Sequence, residues 1–446
     1  MRVAVIGSGI SGCAATWSLS KWADVTVFES DNRLGGHTHT QTLSIDEKTF
    51  AVDTGFIVFN HRTYPGLKAW FEELGVDCAP SDMSFSASLN DGALEWCGTN
   101  LNSVFAQRKN LVAPKFWVML ADILRFNREA PIDAARFRQS SAPGPTLGAY
   151  LEQGRYRGLF LQAYLLPMAG AIWSCPPRQM REFPMTTFTR FCENHGLLSL
   201  TNRPQWFTVR NGAINYLHKL KSTLDRQQRQ VQWRTSCPIK HITPEISSLG
   251  QMRVGLQGTD RGCEFNEVFD AVILACHSNQ AAELLPETMT LQSIANQVRY
   301  QDNLAVLHTD LALMPKRKSA WASWNYLHNT REDQDSNPVS VTYWMNQLQP
   351  LPVDRPILVT LNPNRSPDPS QVLNQMRYAH PVFDGPAIEA QRLLPKAQGE
   401  GSIWLAGAWT RYGFHEDGFQ SGQHAAQLVR QALHASGHVD TLSKAA

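Results

Sequence analysis

What the chain lacks narrows its class before any motif is read. It has no strong charge of either sign: 41 Lys+Arg stand against 39 Asp+Glu, leaving a formal net charge of +2. A dedicated nucleic-acid binder carries a strongly basic face, so nucleic acid is not expected as a partner. No apolar run in the sequence approaches the roughly 20 residues that a spanning helix requires. The eight cysteines are scattered without a C-x-x-C pair. That argues against a disulfide framework or zinc site and predicts buried thiols in a reducing, cytoplasmic compartment. The opening M-R-V-A-V-I-G reads as a strand and glycine turn, not as a secretory signal. G-x-S-x-G, H-E-x-x-H and G-K-[ST] strings are missing, which leaves hydrolase, zincin and P-loop readings unsupported. The Pro/Asn/Asp-rich stretches around 329–338 and 362–370 have the chemistry of loops.

What is present begins at the first residues. Arg2–Ile6 has the apolar character of a buried parallel strand, and Gly7-Ser8-Gly9-Ile10-Ser11-Gly12 follows it at G-x-G-x-x-G spacing. Gly7 permits the tight turn, Gly9 lets a pyrophosphate approach the backbone, and Gly12 lets helix and strand pack closely. The helix that follows offers free N–H groups and a positive dipole end to phosphate. A second strand, Asp24–Phe28, ends at Glu29-Ser30, about 20 residues past the glycines, where an acid can accept from ribose hydroxyls. Strand, glycine turn, helix, strand and acid together predict a dinucleotide site without choosing between NAD and FAD.

The next residues bear on that choice. Arg33-Leu34-Gly35-Gly36-His37 and Asp53-Thr54-Gly55-Phe56 resemble the second motif of glutathione-reductase-like FAD proteins, in the branch of flavin amine oxidases, protoporphyrinogen oxidase and phytoene desaturases. A C-terminal strand, Ser402–Ala406, then Gly407-Ala408-Trp409 and a helix entered through Gly418-Phe419 resemble the part of that branch that meets the ribityl chain and flavin edge. Ala408 stands where the superfamily commonly has an acid. The strings G-F-H-E-D-G, A-C-H-S-N-Q-A-A-E-L-L and A-W-A-S-W-N-Y resemble a bacterial subgroup often encoded beside cyclopropane-fatty-acyl-phospholipid synthases. The resemblance implies an α/β fold: a Rossmann-like, glutathione-reductase-type FAD-binding domain with an inserted α+β substrate domain. It places the FAD domain in residues 1–85, 208–290 and 398–440 and the substrate domain in 86–207 and 291–397. It also implies a main-chain contact to adenine near Val231. The resemblance implies non-covalent FAD, because 407–422, where amine oxidases can form a cysteinyl bond, holds no cysteine; a histidyl link stays open as the alternative.

The resemblance further implies redox work on an apolar or lipid acyl substrate, and the many aromatics of the insertions suit such a pocket as well as they suit a core. His415, Glu416 and Asp417, just before the C-terminal helix, are the candidate proton acceptors or polarisers, with helix capping as the structural alternative for Asp417. His37 and His39 lack a third ligand at sensible spacing, so no metal is expected. Pro114–Glu129 predicts a helix with Phe116, Leu120, Ile123 and Asn127 along one side, amid Arg108, Lys109, Lys115, Arg125 and Arg128. Such a helix is either an ordinary element with a solvated basic face or a peripheral contact to the inner membrane face. Other functional readings are an amine oxidase that releases hydrogen peroxide, a flavin enzyme without net redox, or an FAD-binding partner subunit of a lipid-modifying enzyme.

Overall fold

The computed structural model describes residues 1–139, 144–173, 176–199, 203–248, 250–328 and 339–435. The expected loop at 329–338 and the end of the expected FAD domain, 436–440, lie outside the described residues. Five short strands pair in parallel, in the order Val231–Arg234, β2 (Asp24–Phe28), β1 (Arg2–Ile6), Ala271–Leu274, Ile403–Leu405. Alternation along β1 explains why both faces are covered, as a parallel sheet requires. Val3 and Val5 pack under α1 (Ile10–Leu19) and the C-terminal helix His415–Ala435, through Ala15, Leu19, Ala425 and Val429. Ala4 and Ile6 face the other way, onto Ala281, Leu291, Ala387 and Leu394 from three further helices and Val254 from the antiparallel sheet Ile239–Phe269.

A hairpin of β3 (Thr40–Ile45) and β4 (Lys48–Asp53) follows the glycine-rich segment, and its two turn residues, Asp46 and Glu47, both have positive φ, as a tight hairpin turn requires. Helix α2 (Pro65–Leu74) comes next. The second large sheet has seven strands, antiparallel except where Trp324–His328 runs parallel to Phe85–Leu89. Its strands Phe85–Leu89, Leu94–Cys97, Trp324–His328 and Val341–Trp344 share an apolar cluster with the helices of 114–194.

Two expected boundaries shift. The cut at residue 85 falls inside the strand Phe85–Leu89. Helix Gly385–Ala397, expected in the insertion, buries Ala387, Ala390, Leu394 and Ala397 against the parallel sheet. The cysteines among the described residues are free, but Cys263 is exposed and Cys78 and Cys276 are half-buried, so not all are core thiols. Among the described residues, no helix is long and apolar enough to cross a membrane.

Candidate cofactor and substrate site

Both α1 and the C-terminal helix follow parallel strands, so both begin at the carboxyl edge of the sheet, the edge where open α/β sheets hold ligands. They are pressed together there: a Cβ on Gly422 would lie 2.0 Å from the Ser11 carbonyl oxygen, and one on Gly418 would lie 2.7 Å from Ile10 Cγ2. Two helix N-termini therefore stand side by side, and α1 has no side-chain cap and no acid in its first turn. Gly12 allows the close packing, since a Cβ there would sit 1.9 Å from the Gly7 carbonyl oxygen. A Cβ on Gly9, by contrast, would meet nothing within 4 Å. Open space above an uncapped helix start is what a diphosphate requires.

Glu29 sits at the end of β2, where its Oε2 accepts from Ser8 N (3.0 Å) and Ser8 Oγ (2.6 Å) and its Oε1 from Asp31 N (3.0 Å). Ser30 Oγ lies 3.4 Å from the same Oε1. Ser8 Oγ accepts from Gly35 N (3.0 Å), which ties the glycine turn to the Arg33–His37 segment. Gly36 has φ +55 and crosses Gly9 so closely that a Cβ would be 3.3 Å from Gly9 Cα. Leu34 is half-buried beside it. Arg33 pairs with Asp31 (3.3 Å) and donates to the Thr38 carbonyl (3.3 Å). A Cβ on Gly55 would lie 2.1 Å from the His37 carbonyl oxygen, and Phe56 N donates to that oxygen at 2.8 Å.

His37 opens a histidine cluster that spacing along the chain does not reveal. Its ring centroid is 5.9 Å from His277, 5.3 Å from His380 and 5.2 Å from Tyr378. Tyr378 Oη lies 3.0 Å from His39 Nδ1 and 2.8 Å from Thr54 Oγ1. His277 stacks on Tyr300 at 4.5 Å, and His380 Nδ1 lies 3.1 Å from Asn303 Nδ2. Burial, and then the neighbouring imidazoles, hold His37 well below the usual histidine range, while burial followed by His277 lowers His380 to about 4. These rings are therefore neutral near pH 7. His37 Nε2 is buried without a protein partner. No group of three or more acidic, His or Cys side chains among the described residues is arranged to hold a metal ion.

At the C-terminal helix the three candidate ionisable residues separate. Glu416 is engaged with backbone: its Oε1 accepts from Gly66 N (2.9 Å) and its Oε2 from Leu67 N (2.8 Å), with Gln420 Nε2 also donating to Oε1 (2.8 Å). This is a remote cap on α2, whose own N-cap residue, Tyr64, makes no side-chain bond. Asp417 Oδ2 accepts from Phe414 N (3.0 Å), and burial pushes its carboxyl up to about 6. Both carboxylates thus accept from backbone, the arrangement of the helix-capping alternative raised for Asp417. His415 differs. It stacks on Phe56 at 3.7 Å with an 11° tilt, its Nε2 lies 3.1 Å from Thr38 Oγ1, and burial lowers it to about 3.

Phe414, the preceding residue, leads into an aromatic wall. It stacks on Phe191 (4.8 Å), which in turn stacks on His195 (3.9 Å) and packs on Trp173 (4.6 Å). Tyr412 and Trp206 border the same group. His195 Nδ1 faces the Phe191 carbonyl oxygen (2.9 Å), and burial lowers this residue to about 4. Gly407 N donates to Ser421 Oγ (3.1 Å), linking the last strand's turn to the helix, while Phe419 is buried against Trp70 (5.2 Å) as core.

Two further expectations change. Asp53 is fully buried: both carboxylate oxygens lie 2.9 Å from Ala213 N, Gln349 Nε2 donates at 2.7 Å and Thr40 Oγ1 also donates. Burial outweighs these donors and pushes its carboxyl up to about 7. Asp53 therefore joins the hairpin to helix Ile214–Arg226, leaving no free oxygen for a cofactor. Val231 begins its strand, pairing with Val25, whereas the strand's carboxyl end reaches Phe28 through Arg234. The main chain that lies beside Glu29 is instead Ser236–Cys237, with Cys237 N donating to the Glu29 carbonyl (2.9 Å). Val231 is thus at the end of the strand away from the site. His380, Tyr378, His195 and Cys237 escaped the sequence reading as site residues, whereas His277, directly after an apolar strand, reads in the sequence as either a cofactor-side or a structural turn residue.

Residues 5–74 match the family model described as an NAD(P)-binding Rossmann-like domain. Over nearly its full length the chain is similar to three solved structures. One is a protein described as a protoporphyrinogen oxidase from Exiguobacterium sp. 255-15, at 16% identity over 97% of this chain and 99% of that one, with TM-score 0.67. Another is a CLA-producing fatty acid isomerase from P. acnes, at 13% identity over 96% and 98%, with TM-score 0.67. The third is putrescine oxidase bound to putrescine, at 14% identity over 97% and 99%, with TM-score 0.66. At these identities the likeness is one of fold. The chain is accordingly an α/β protein built on a Rossmann-like dinucleotide-binding domain, in the architecture that these oxidases and this isomerase share.

Proposed function

We propose that the chain is an FAD-dependent oxidoreductase acting on an apolar substrate, with a lipid acyl chain as the substrate class. The supporting observation is the pair of helix N-termini beside an open Gly9 and an unpartnered His37 Nε2, next to an aromatic wall whose adjacent carboxylates are engaged with backbone. The residues fit the cofactor. The Gly9–Gly12 turn would hold the diphosphate, Glu29 the ribose, the Ser236–Cys237 main chain the base, and the first turn of the C-terminal helix the electron-rich edge of the flavin. FAD, when bound, would supply a two-electron acceptor for a hydride equivalent from the substrate, with dioxygen or another acceptor as the final oxidant.

The chain's own residues orient the substrate and exclude water. Phe191, Phe414 and Trp173 offer an apolar wall. The aromatic make-up of this wall, with Glu416 and Asp417 directed to backbone N–H groups, favours an uncharged substrate over an amine. His195, with Nδ1 bonded to a carbonyl and its ring neutral, presents an unprotonated Nε2 as the proton-accepting atom in that wall. The test is the visible spectrum of the purified protein before and after acid precipitation, followed by anaerobic titration with acyl lipids and with amines. Flavin bands, a yellow supernatant and bleaching by acyl lipids support the reading. Bleaching by amines with peroxide release replaces the substrate class, product without any acceptor consumed indicates isomerisation, and a colourless protein that takes up no FAD overturns the proposal.

A further inference from the structure

The exposed large apolar residues of this protein are not spread evenly over its surface. Leu101, Leu111, Val112, Trp117, Leu124 and Ile132 are all exposed, Val112 by 83% and Trp117 by 49%, and all lie within 32 consecutive residues. They follow a pattern. Helix Pro114–Gln139 buries Phe116, Met119, Ile123, Phe126, Ala130 and Ala134 in the substrate-side cluster. Of the stripe expected from the sequence, Phe116 and Ile123 point into the core, and Leu120 and Asn127 are half-buried. A second stripe, Trp117, Ala121, Leu124 and Ile132, with Arg128 set among them, recurs at helical spacing on the outward side and is exposed throughout. A surface helix ordinarily keeps its outward face polar, so an outward apolar stripe calls for a covering phase.

Charge identifies that phase. Residues 101–139 contain seven Lys/Arg against three Asp/Glu, a net of +4 where the whole chain carries +2. The three acids are each paired, Asp122 with Arg125, Glu129 with Arg128 and Asp133 with Arg136. Arg108, Lys109, Lys115 and Arg138 thus leave an excess of positive charge around the stripe, with all four residues exposed. The turn Arg108–Val112 is held to the helix by Trp117 Nε1, which donates to the Leu111 carbonyl (2.9 Å), so apolar tips and cations share one fixed surface. We propose that this surface docks the protein on an anionic phospholipid bilayer. The apolar side chains enter the acyl boundary and the cations meet lipid phosphates. A second copy of the chain is a poorer occupant, because a two-fold contact would bring two such positive surfaces together.

Co-sedimentation of the full chain with vesicles tests the assignment, using phosphatidylcholine alone and phosphatidylcholine with phosphatidylglycerol at low and high salt. The protein is expected to sediment with the anionic vesicles at low salt and to be released by high salt. W117S/L124S is expected to weaken partitioning about tenfold, and R108Q/K109Q/K115Q on the order of a hundredfold. Trp117 also packs on Phe105 (5.4 Å), so V112E/L124E, at two of the exposed positions, provides a second apolar variant with unchanged thermal unfolding as its control. Three results overturn the proposal: no sedimentation with anionic vesicles at low salt, equal sedimentation of all variants, or a dimer in light scattering that W117S/L124S converts to monomer.

Discussion

Replacing Glu416 separates a structural acid from a catalytic one. Its two oxygens receive Gly66 N at 2.9 Å and Leu67 N at 2.8 Å, both at the start of α2 and 350 and 349 residues away in sequence. Charge-assisted bonds of this kind contribute about 1.5–3 kcal/mol each. Glu416→Gln keeps one acceptor and turns an NH2 group toward the second backbone donor, so a loss of about 2 kcal/mol is expected. Glu416→Ala leaves both amide groups without their acceptor and removes the negative charge from a helix N-terminus, for about 3–5 kcal/mol. The assay is thermal or denaturant unfolding of both variants, alongside turnover per folded, flavin-loaded molecule. Stability should fall in the order wild type, Gln, Ala, while turnover of the folded Gln variant stays within a few-fold of wild type. A Glu416→Gln protein as stable as wild type but without turnover would refute the capping argument.

The buried histidines make a pH prediction. His195 and His380 are lowered to about 4, so the folded protein resists protons that the unfolded chain takes up below about 6.5. Stability is fully present above that value and falls as pH drops toward 4, by about 2 kcal/mol per such histidine between pH 7 and 5. Unfolding of the apoprotein across this interval measures it, and a flat profile would show that these rings titrate normally. Gly422→Val should force α1 and the C-terminal helix apart, since even a Cβ meets the Ser11 carbonyl oxygen at 2.0 Å. A destabilisation of about 3 kcal/mol is expected, and a variant that unfolds at the wild-type temperature would contradict the packing. His195→Gln should leave stability within about 1 kcal/mol yet lower turnover at least tenfold. An unchanged rate and pH profile would remove His195 from the reaction.

The parallel sheet and glycine turn were legible because their signals are local: an apolar five-residue strand, three spaced glycines and a terminal acid lie within the first 29 residues. The resemblance carried the reading to the C-terminal helix, but only as far as its elements. It named the strand that carries Val231 and could not tell which end of that strand reaches the site. The direction becomes decisive only once Val231 is paired with Val25 and Arg234 with Phe28. The histidine cluster was illegible for a plainer reason. His37, His277 and His380 come from a loop, a strand end and the edge strand of the other sheet, so no spacing rule joins them.

Asp53 and Glu416 share an arrangement with other acids of the chain. Several buried or half-buried carboxylates among the described residues each hold backbone N–H groups from a distant segment, among them Asp53 at Ala213, Glu95 at Lys316 and Arg317, Glu400 at Thr290 and Leu291, and Glu416 at Gly66 and Leu67. Asp53, Glu400 and Glu416 act at helix starts, where unpaired amide groups and the dipole both favour a carboxylate. A cap of this kind normally stands one to three residues before its helix and is visible in sequence. Here the acid is supplied 110 to 350 residues away, so in sequence it looks like an unassigned ionisable residue near a cofactor motif. The same arrangement shapes the site. Glu416 and Asp417 are directed to backbone N–H groups beside the aromatic wall, and the imidazole within that wall is the neutral ring of His195, bordered by Tyr412 and Tyr64. The proposed uncharged substrate rests on that environment and not on any motif.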